Sequence, residues 1–133
     1  MGSEDIYIVF YGSLMNGLGG RQKIDIDSDV EFVMKCSVKG TMYDLGEFPG
    51  LLPEGDAIVK AELYRIINPE ALEVMDIFEG FNIEKPELSL FKRELIKLDV
   101  EDIEAHIYYY NDSVIDAFEV FGGDWRTHIA ARG

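Results

Sequence analysis

Cysteine occurs once in this 133-residue chain, at Cys36, and histidine twice, at His106 and His128. One thiol cannot close an intrachain disulfide, and one thiol with two distant imidazoles offers no tetrahedral zinc set. No spaced acidic motif such as an EF-hand loop marks a carboxylate metal site. Basic residues are also few: 12 Lys and Arg stand against 26 Asp and Glu, a formal charge of −14. A phosphate backbone requires a basic footprint, and the cations here occur singly or in short pairs such as Lys92-Arg93. Nucleic acid and membrane surfaces are therefore not expected partners. Apolar runs are short, none approaching the ~20 residues of a membrane span. No basic and then apolar leader-like stretch opens the chain. The expectation is a soluble, cytoplasmic protein whose surplus acid forms a solvated face.

What is present suits a packed domain. Hydrophobic residues make up 47% of the chain, with eight Phe, seven Tyr and one Trp. At roughly 150 residues per domain, residues 1–133 read as one unit, long enough to bury roughly two-thirds of its unfolded surface. Ile6-Tyr7-Ile8-Val9-Phe10 is a compact run of β-formers, nearly continuous in hydrophobicity, as for a central strand buried on both faces. Residues 12–20 hold four glycines and an Asn and read as a loop leading into a short helical turn. Phe32, Met34, Cys36 and Val38 alternate with Val33, Lys35, Ser37 and Lys39, which predicts a strand with one wet face, one slip in the period, and a buried Cys36 thiol. After Tyr43, the residues Gly46, Pro49, Gly50 and Pro53 predict a long loop. Val59, Ala61 and Leu63 alternate with Lys60 and Glu62 as a second half-buried strand.

Asn68 as N-cap, Pro69 at the first helical position and Glu70 and Glu73 in the first turn announce a helix over 69–79. Gly80 is its natural left-handed stop. Residues 95–100 and 103–110 read as a hairpin turned at Glu101-Asp102. The tail holds an apolar segment over 115–121, then Gly122-Gly123-Asp124-Trp125-Arg126. Five or six strands, one main helix and no regular βα alternation predict an α+β fold with a small mixed, curved sheet or barrel.

Two features carry chemistry. Tyr11-Gly12-Ser13-Leu14 stands where the first strand runs into a glycine-bearing loop. Such a turn aims successive backbone N–H groups at one point and makes an anion nest. Gly12 would open a close approach and Ser13 would add a hydroxyl; the plainer alternative is a tight turn that only closes a strand. Gly17-Leu18-Gly19-Gly20 does not fit the dinucleotide spacing. The second feature is Asp76-Ile77-Phe78-Glu79-Gly80-Phe81. A carboxylate at a helix C-terminus meets the negative end of the dipole, and Phe78 and Phe81 restrict its hydration. Both push the Glu79 pKa upward, the direction a general acid/base near neutrality needs. Its alternative is an exposed Glu at a frayed helix end. Asp76, one turn back, would stand near it.

Lesser candidates read as structural. Tyr108-Tyr109-Tyr110 reads as sheet packing, Arg93 as an inward ion pair with a carboxylate, and His106 as a surface residue with no partner. No base stands at a known spacing from Ser13, so no nucleophilic triad is credible.

Together the two features resemble the γ-glutamylcyclotransferase family. Tyr11-Gly12-Ser13-Leu14 after the first strand resembles its substrate loop. Pro49-Gly50-Leu51, Val59-Lys60-Ala61-Glu62-Leu63-Tyr64, the helix end at Asp76 to Phe81 and Phe91-Lys92-Arg93 follow in the family's order. Gly123-Asp124-Trp125 resembles the short branch that includes γ-glutamylamine cyclotransferase, as does the lack of an extra Asn in the loop. The chain departs at Phe91, where the family usually has Tyr, and at Ala61, where Gly is common.

The resemblance implies an intramolecular aminolysis in which a γ-glutamyl α-amine attacks its own γ-carbonyl. The products are 5-oxoproline and a released amine or amino acid. The nucleophile belongs to the substrate, so no cofactor or metal is implied. Glu79 would shuttle the proton, and backbone N–H groups of Tyr11, Gly12, Ser13 and Leu14 would hold the substrate α-carboxylate. The expected partner is a small γ-glutamyl substrate whose amine half is unreadable, and the oligomeric state stays open. Two rivals remain: a non-catalytic module that binds a small acidic metabolite on the same fold, and a hydrolase pairing Glu79 with a second carboxylate, for which Asp76 is the sole candidate.

Overall fold

The computed structural model describes residues 5–99 and 102–132. Strand β1 (Ile6–Phe10) leads into a glycine-rich loop and a single-turn helix, α1 (Gly20–Lys23). Then come β2 (Val30–Lys39), β3 (Thr41–Asp44), β4 (Pro49–Leu52), β5 (Ile58–Ile66) and the main helix α2 (Glu70–Glu79). The chain continues through β6 (Phe91–Lys97), β7 (Glu104–Tyr110), β8 (Phe118–Glu119) and a terminal helix α3 (Trp125–Ala131). Five strands form one mixed sheet in the order β2-β5-β1-β7-β6, and three form a second in the order β4-β3-β8.

β1 occupies the centre of the larger sheet, antiparallel to β5 and parallel to β7. Its unbroken hydrophobicity has the expected cause: Ile8, Val9 and Phe10 are all buried. The slip in the period of β2 is a register shift between Phe32 and Met34 against β5. An extra residue at that point bends the strand and turns its alternation over. Downstream of it Cys36 is half-buried rather than buried.

The α+β class stands, with eight strands in place of five or six. The difference lies in the second sheet. Residues 49–52, expected within a loop, form β4 and pair with β3 from Thr41↔Leu52 to Asp44↔Pro49. Proline is compatible there because Pro49 opens an edge strand, where a missing N–H leaves no ladder bond unmade. Gly50 fits because a Cβ on it would meet Tyr110 of β7 at 2.9 Å. The β6–β7 hairpin pairs from Phe91↔Tyr110 to Lys97↔Glu104, so β6 begins four residues before the expected start. Of its expected turn, Glu101 lies outside the described residues and Asp102 has φ 60°.

α2 matches its expected span. Asn68 Oδ1 accepts the Glu70 N–H at 3.1 Å, and Gly80 ends the helix at φ 71° with Phe81 N–H bonded back to Asp76 O. α3 was not expected from the sequence. Asp124 caps it, accepting from Thr127 N–H and Oγ1, and the buried Trp125 anchors it to the core. No helix among the described residues is long and apolar enough to cross a membrane.

Candidate functional site

The C-terminal end of β1 and the C-terminal end of α2 open on the same cavity, of about 460 Å³. Residues 11–14 line one side, Phe78 and Glu79 another, and Tyr108 of β7 and Phe91 of β6 complete the wall. The sequence features that stood 65 positions apart are therefore one site.

Each loop residue has a separate task. Tyr11 is buried and its hydroxyl donates to the Tyr108 carbonyl at 2.5 Å, which ties the loop to β7. Burial drives the Tyr11 phenol well above its usual pKa, and the nearby Glu79 charge adds to this. Gly12 lines the cavity and is also packed from behind: a Cβ there would meet Pro49 Cγ at 2.7 Å and Cδ at 2.9 Å, so the missing side chain makes room for β4. The Gly12 carbonyl accepts Met15 N–H, and the Ser13 carbonyl accepts Gly20 N–H at 2.9 Å, closing the loop upon itself. Leu14 sends its side chain into the core. The N–H groups of Ser13 and Leu14 have no acceptor among the described residues, as an anion-binding turn requires.

Glu79 stands half-buried at the last residue of α2. Its pKa is pushed up to about 7, first by burial and then by the Asp76 carboxylate. Asp76 itself is fully engaged. It receives two bonds from Arg93, at 2.7 and 3.0 Å, and one from the Tyr108 hydroxyl at 2.6 Å. Arg93 thus has the inward carboxylate partner expected of it. Its guanidinium also lies 5.4 Å from the Phe81 ring centroid.

Two expectations need correction. His106 is not a free surface residue: its Nδ1 lies 3.1 Å from Arg93 Nη1, and burial and the Arg93 charge hold its pKa below the usual value. Tyr108 is more than sheet packing, since it lines the cavity and bonds Asp76. The phase of β7 was readable, but not that this face of the strand would lie under the end of α2.

Glu62 was missed as well. Period two places it on the wet face of β5, yet it is 5% exposed. The loop after residue 14 and helix α3 cover that face, and Glu62 accepts bonds from Asn16 N–H, the Tyr64 hydroxyl and Arg126. An acidic residue flanked by apolar neighbours in a strand, Glu62 between Ala61 and Leu63, was the available signal.

Comparison with known proteins agrees with this geometry. The sequence pattern of the family described as "Gamma-glutamyl cyclotransferase, AIG2-like" matches residues 8–127, spanning the loop, α2 and the start of α3. No curated protein matches the chain. Among solved structures, protein ytfP from Escherichia coli is 24% identical, with TM-score 0.67 over 93% of this chain and 99% of that one. An AIG2-like protein from Mus musculus is 17% identical, with TM-score 0.70 over 92% of this chain and 89% of its own. Kluyveromyces lactis allophanate hydrolase has the same fold within 22% of its chain, at 9% identity and TM-score 0.72. These likenesses show the fold; the family rests on the sequence match together with the order of its motifs along the chain. The protein belongs to the gamma-glutamyl cyclotransferase, AIG2-like family.

Proposed function

We propose that the protein cyclises a γ-glutamyl group to 5-oxoproline and releases the attached amine or amino acid, with Glu79 as the proton shuttle. The observation that carries this reading is the single cavity shared by residues 11–14 and Glu79. The free N–H groups of Ser13 and Leu14 would bind the substrate α-carboxylate. That local nest matters in a chain of net charge −14, whose overall field repels an anion.

With the carboxylate held, the α-ammonium would lie toward Glu79. Ionised Glu79 removes a proton from the ammonium, and the freed amine attacks the γ-carbonyl carbon to close a five-membered ring. The tetrahedral intermediate then expels the leaving nitrogen, which takes the proton from Glu79. The ring nitrogen gives up its second hydrogen through Glu79 to the released amine, which departs as an ammonium. One C–N bond forms and one breaks, with no net proton change. A group with pKa about 7 suits both halves of this transfer. Holding amine and carbonyl in contact supplies the remaining acceleration through orientation. Phe48, Phe78 and Phe91 give the cavity an apolar wall.

Asp76 is not free to serve a hydrolase as the second carboxylate, because its oxygens are taken by Arg93 and Tyr108. The test is 5-oxoproline release from a panel of γ-glutamyl amino acids, γ-glutamyl-ε-lysine and glutathione, with Glu79→Gln alongside. Release that disappears in the variant, with folding intact, supports the reading. Release unaltered by the substitution overturns the role of Glu79. Thermal stabilisation by these compounds without release would favour a binding module.

A further inference from the structure

On the side of the loop away from Glu79, a second polar cluster surrounds Asn16, two residues beyond Leu14. The Asn16 N–H donates to Glu62 Oε1 of β5 at 2.8 Å. Its carbonyl accepts from Arg126 of α3. Its Oδ1 accepts from Arg21 of α1 at 3.0 Å. Three polar groups of one residue are thus held by three elements, two of which, β5 and α3, are distant in sequence. The holders are themselves tied together. Arg126 Nη2 lies 3.2 Å from Glu62 Oε2, the Tyr64 hydroxyl donates to Glu62 Oε1 at 2.9 Å, and the Arg21 guanidinium lies 4.7 Å from the Tyr64 ring centroid. On its other side Arg21 Nε lies 3.3 Å from Asp27 Oδ1 as an ion pair, without a hydrogen bond.

Stability alone does not account for this arrangement. Burying a carboxylate at 5% exposure carries a desolvation cost that its ion pair at best offsets. A loop that must aim two N–H groups at one anion, however, loses its function if it drifts by an ångström. Gly12 and Ser13 accept bonds from Met15 and Gly20, so the position of Asn16 between those donors sets the course of the turn.

We infer that Glu62 and Arg126 are positioning residues that clamp Asn16 and thereby hold the N–H groups of Ser13 and Leu14 in the direction that binds the substrate α-carboxylate. Neither lines the cavity, and both act through the loop. The inference rests on the proposed reaction, and it gives the C-terminal helix a part in substrate binding.

The test uses the full chain carrying Arg126→Met or Glu62→Gln. Arg126 is 44% exposed on its side chain, so its replacement leaves the core intact even where Glu62→Gln fails to fold. Two quantities are read: hydrogen exchange of amides 12–16 without ligand, and KM against kcat for the best γ-glutamyl substrate. The expected result is exchange about tenfold faster in the loop and unchanged in β1 and β5, with KM raised about tenfold and kcat within about twofold. A folded Arg126→Met protein with wild-type KM overturns the inference, including where its exchange is faster or its unfolding midpoint lower, because the pair would then be structural only. Absence of turnover on every γ-glutamyl compound tried in the wild type overturns the reaction instead. The exchange measurement then decides the clamp, and unchanged exchange at 12–16 removes it.

Discussion

Asp76 and Glu79 lie three residues apart on one helix and meet opposite electrostatic circumstances. Asp76 is held by two bonds from Arg93 and one from Tyr108, whereas Glu79 has no cation within ion-pair distance among the described residues. Burial, followed by the Asp76 charge, keeps a proton on Glu79 up to about pH 7. Of two carboxyls on one helix, one is thus held by Arg93 and Tyr108 and the other carries a proton.

Glu79 should lower stability as pH rises. Its folded pKa of about 7 lies above its ordinary 4.5, so between those values the folded protein retains a proton that the unfolded chain has released. The free energy favouring the folded state therefore falls across that window. Glu79→Gln should match the wild type below pH 4.5 and exceed it above pH 7, by at most about 3 kcal/mol. Partial exposure of the side chain reduces that ceiling. Urea unfolding at pH 4, 6 and 8 measures it, and a constant difference across the three would contradict the assignment.

Rate should follow the same group. If ionised Glu79 accepts the ammonium proton, kcat/KM climbs with pH through an inflection near 7. Asp76→Asn removes the neighbouring negative charge and leaves Arg93 without its counter-ion, and both changes favour ionised Glu79. The inflection should move to lower pH while staying above the ordinary carboxylate range, because burial is the larger cause and persists. His106, Tyr11 and Tyr108 also face this region, and none of them carries charge near pH 7 to oppose the shift. An inflection that does not move would place the titrating group elsewhere.

Gly12→Ala tests the contact between the loop and β4. The new methyl would lie 2.7 Å from a proline ring carbon, which has little freedom to yield. Overpacking of this kind typically costs about 1–3 kcal/mol. The unfolding midpoint should drop accordingly, and KM should rise as the turn is displaced. A variant of wild-type stability would show that Pro49 moves easily.

Cys36 should be a sluggish nucleophile in the folded protein. Burial, followed by the Glu62 charge, raises its pKa to about 11. At pH 7.5 its thiolate fraction is about one in three thousand, against about one in ten for a free thiol of pKa 8.5. Iodoacetamide should therefore label it roughly three-hundredfold more slowly than a free thiol, and urea should restore the ordinary rate. Rapid labelling in the native state would place the thiol in water.

The sequence alone determined the local pieces of this protein. Unbroken apolar residues made β1 a central strand, capping residues and Gly80 bounded α2, and the dipole and flanking aromatics singled out Glu79. The ordered motifs pointed to the family. Each of these signals is carried by neighbours within about one turn or one strand, where periodicity and capping are strong. The tertiary structure alone decided what covers what. It brought the loop after β1 to the end of α2 across 65 positions, gave Gly12 its role against Pro49, and placed Asp76 between Arg93 and Tyr108. It also buried Glu62, which period two assigns to water, beneath the loop and α3. Alternation along a strand records which side chains share a face, but whether that face is wet depends on elements that arrive from elsewhere in the chain.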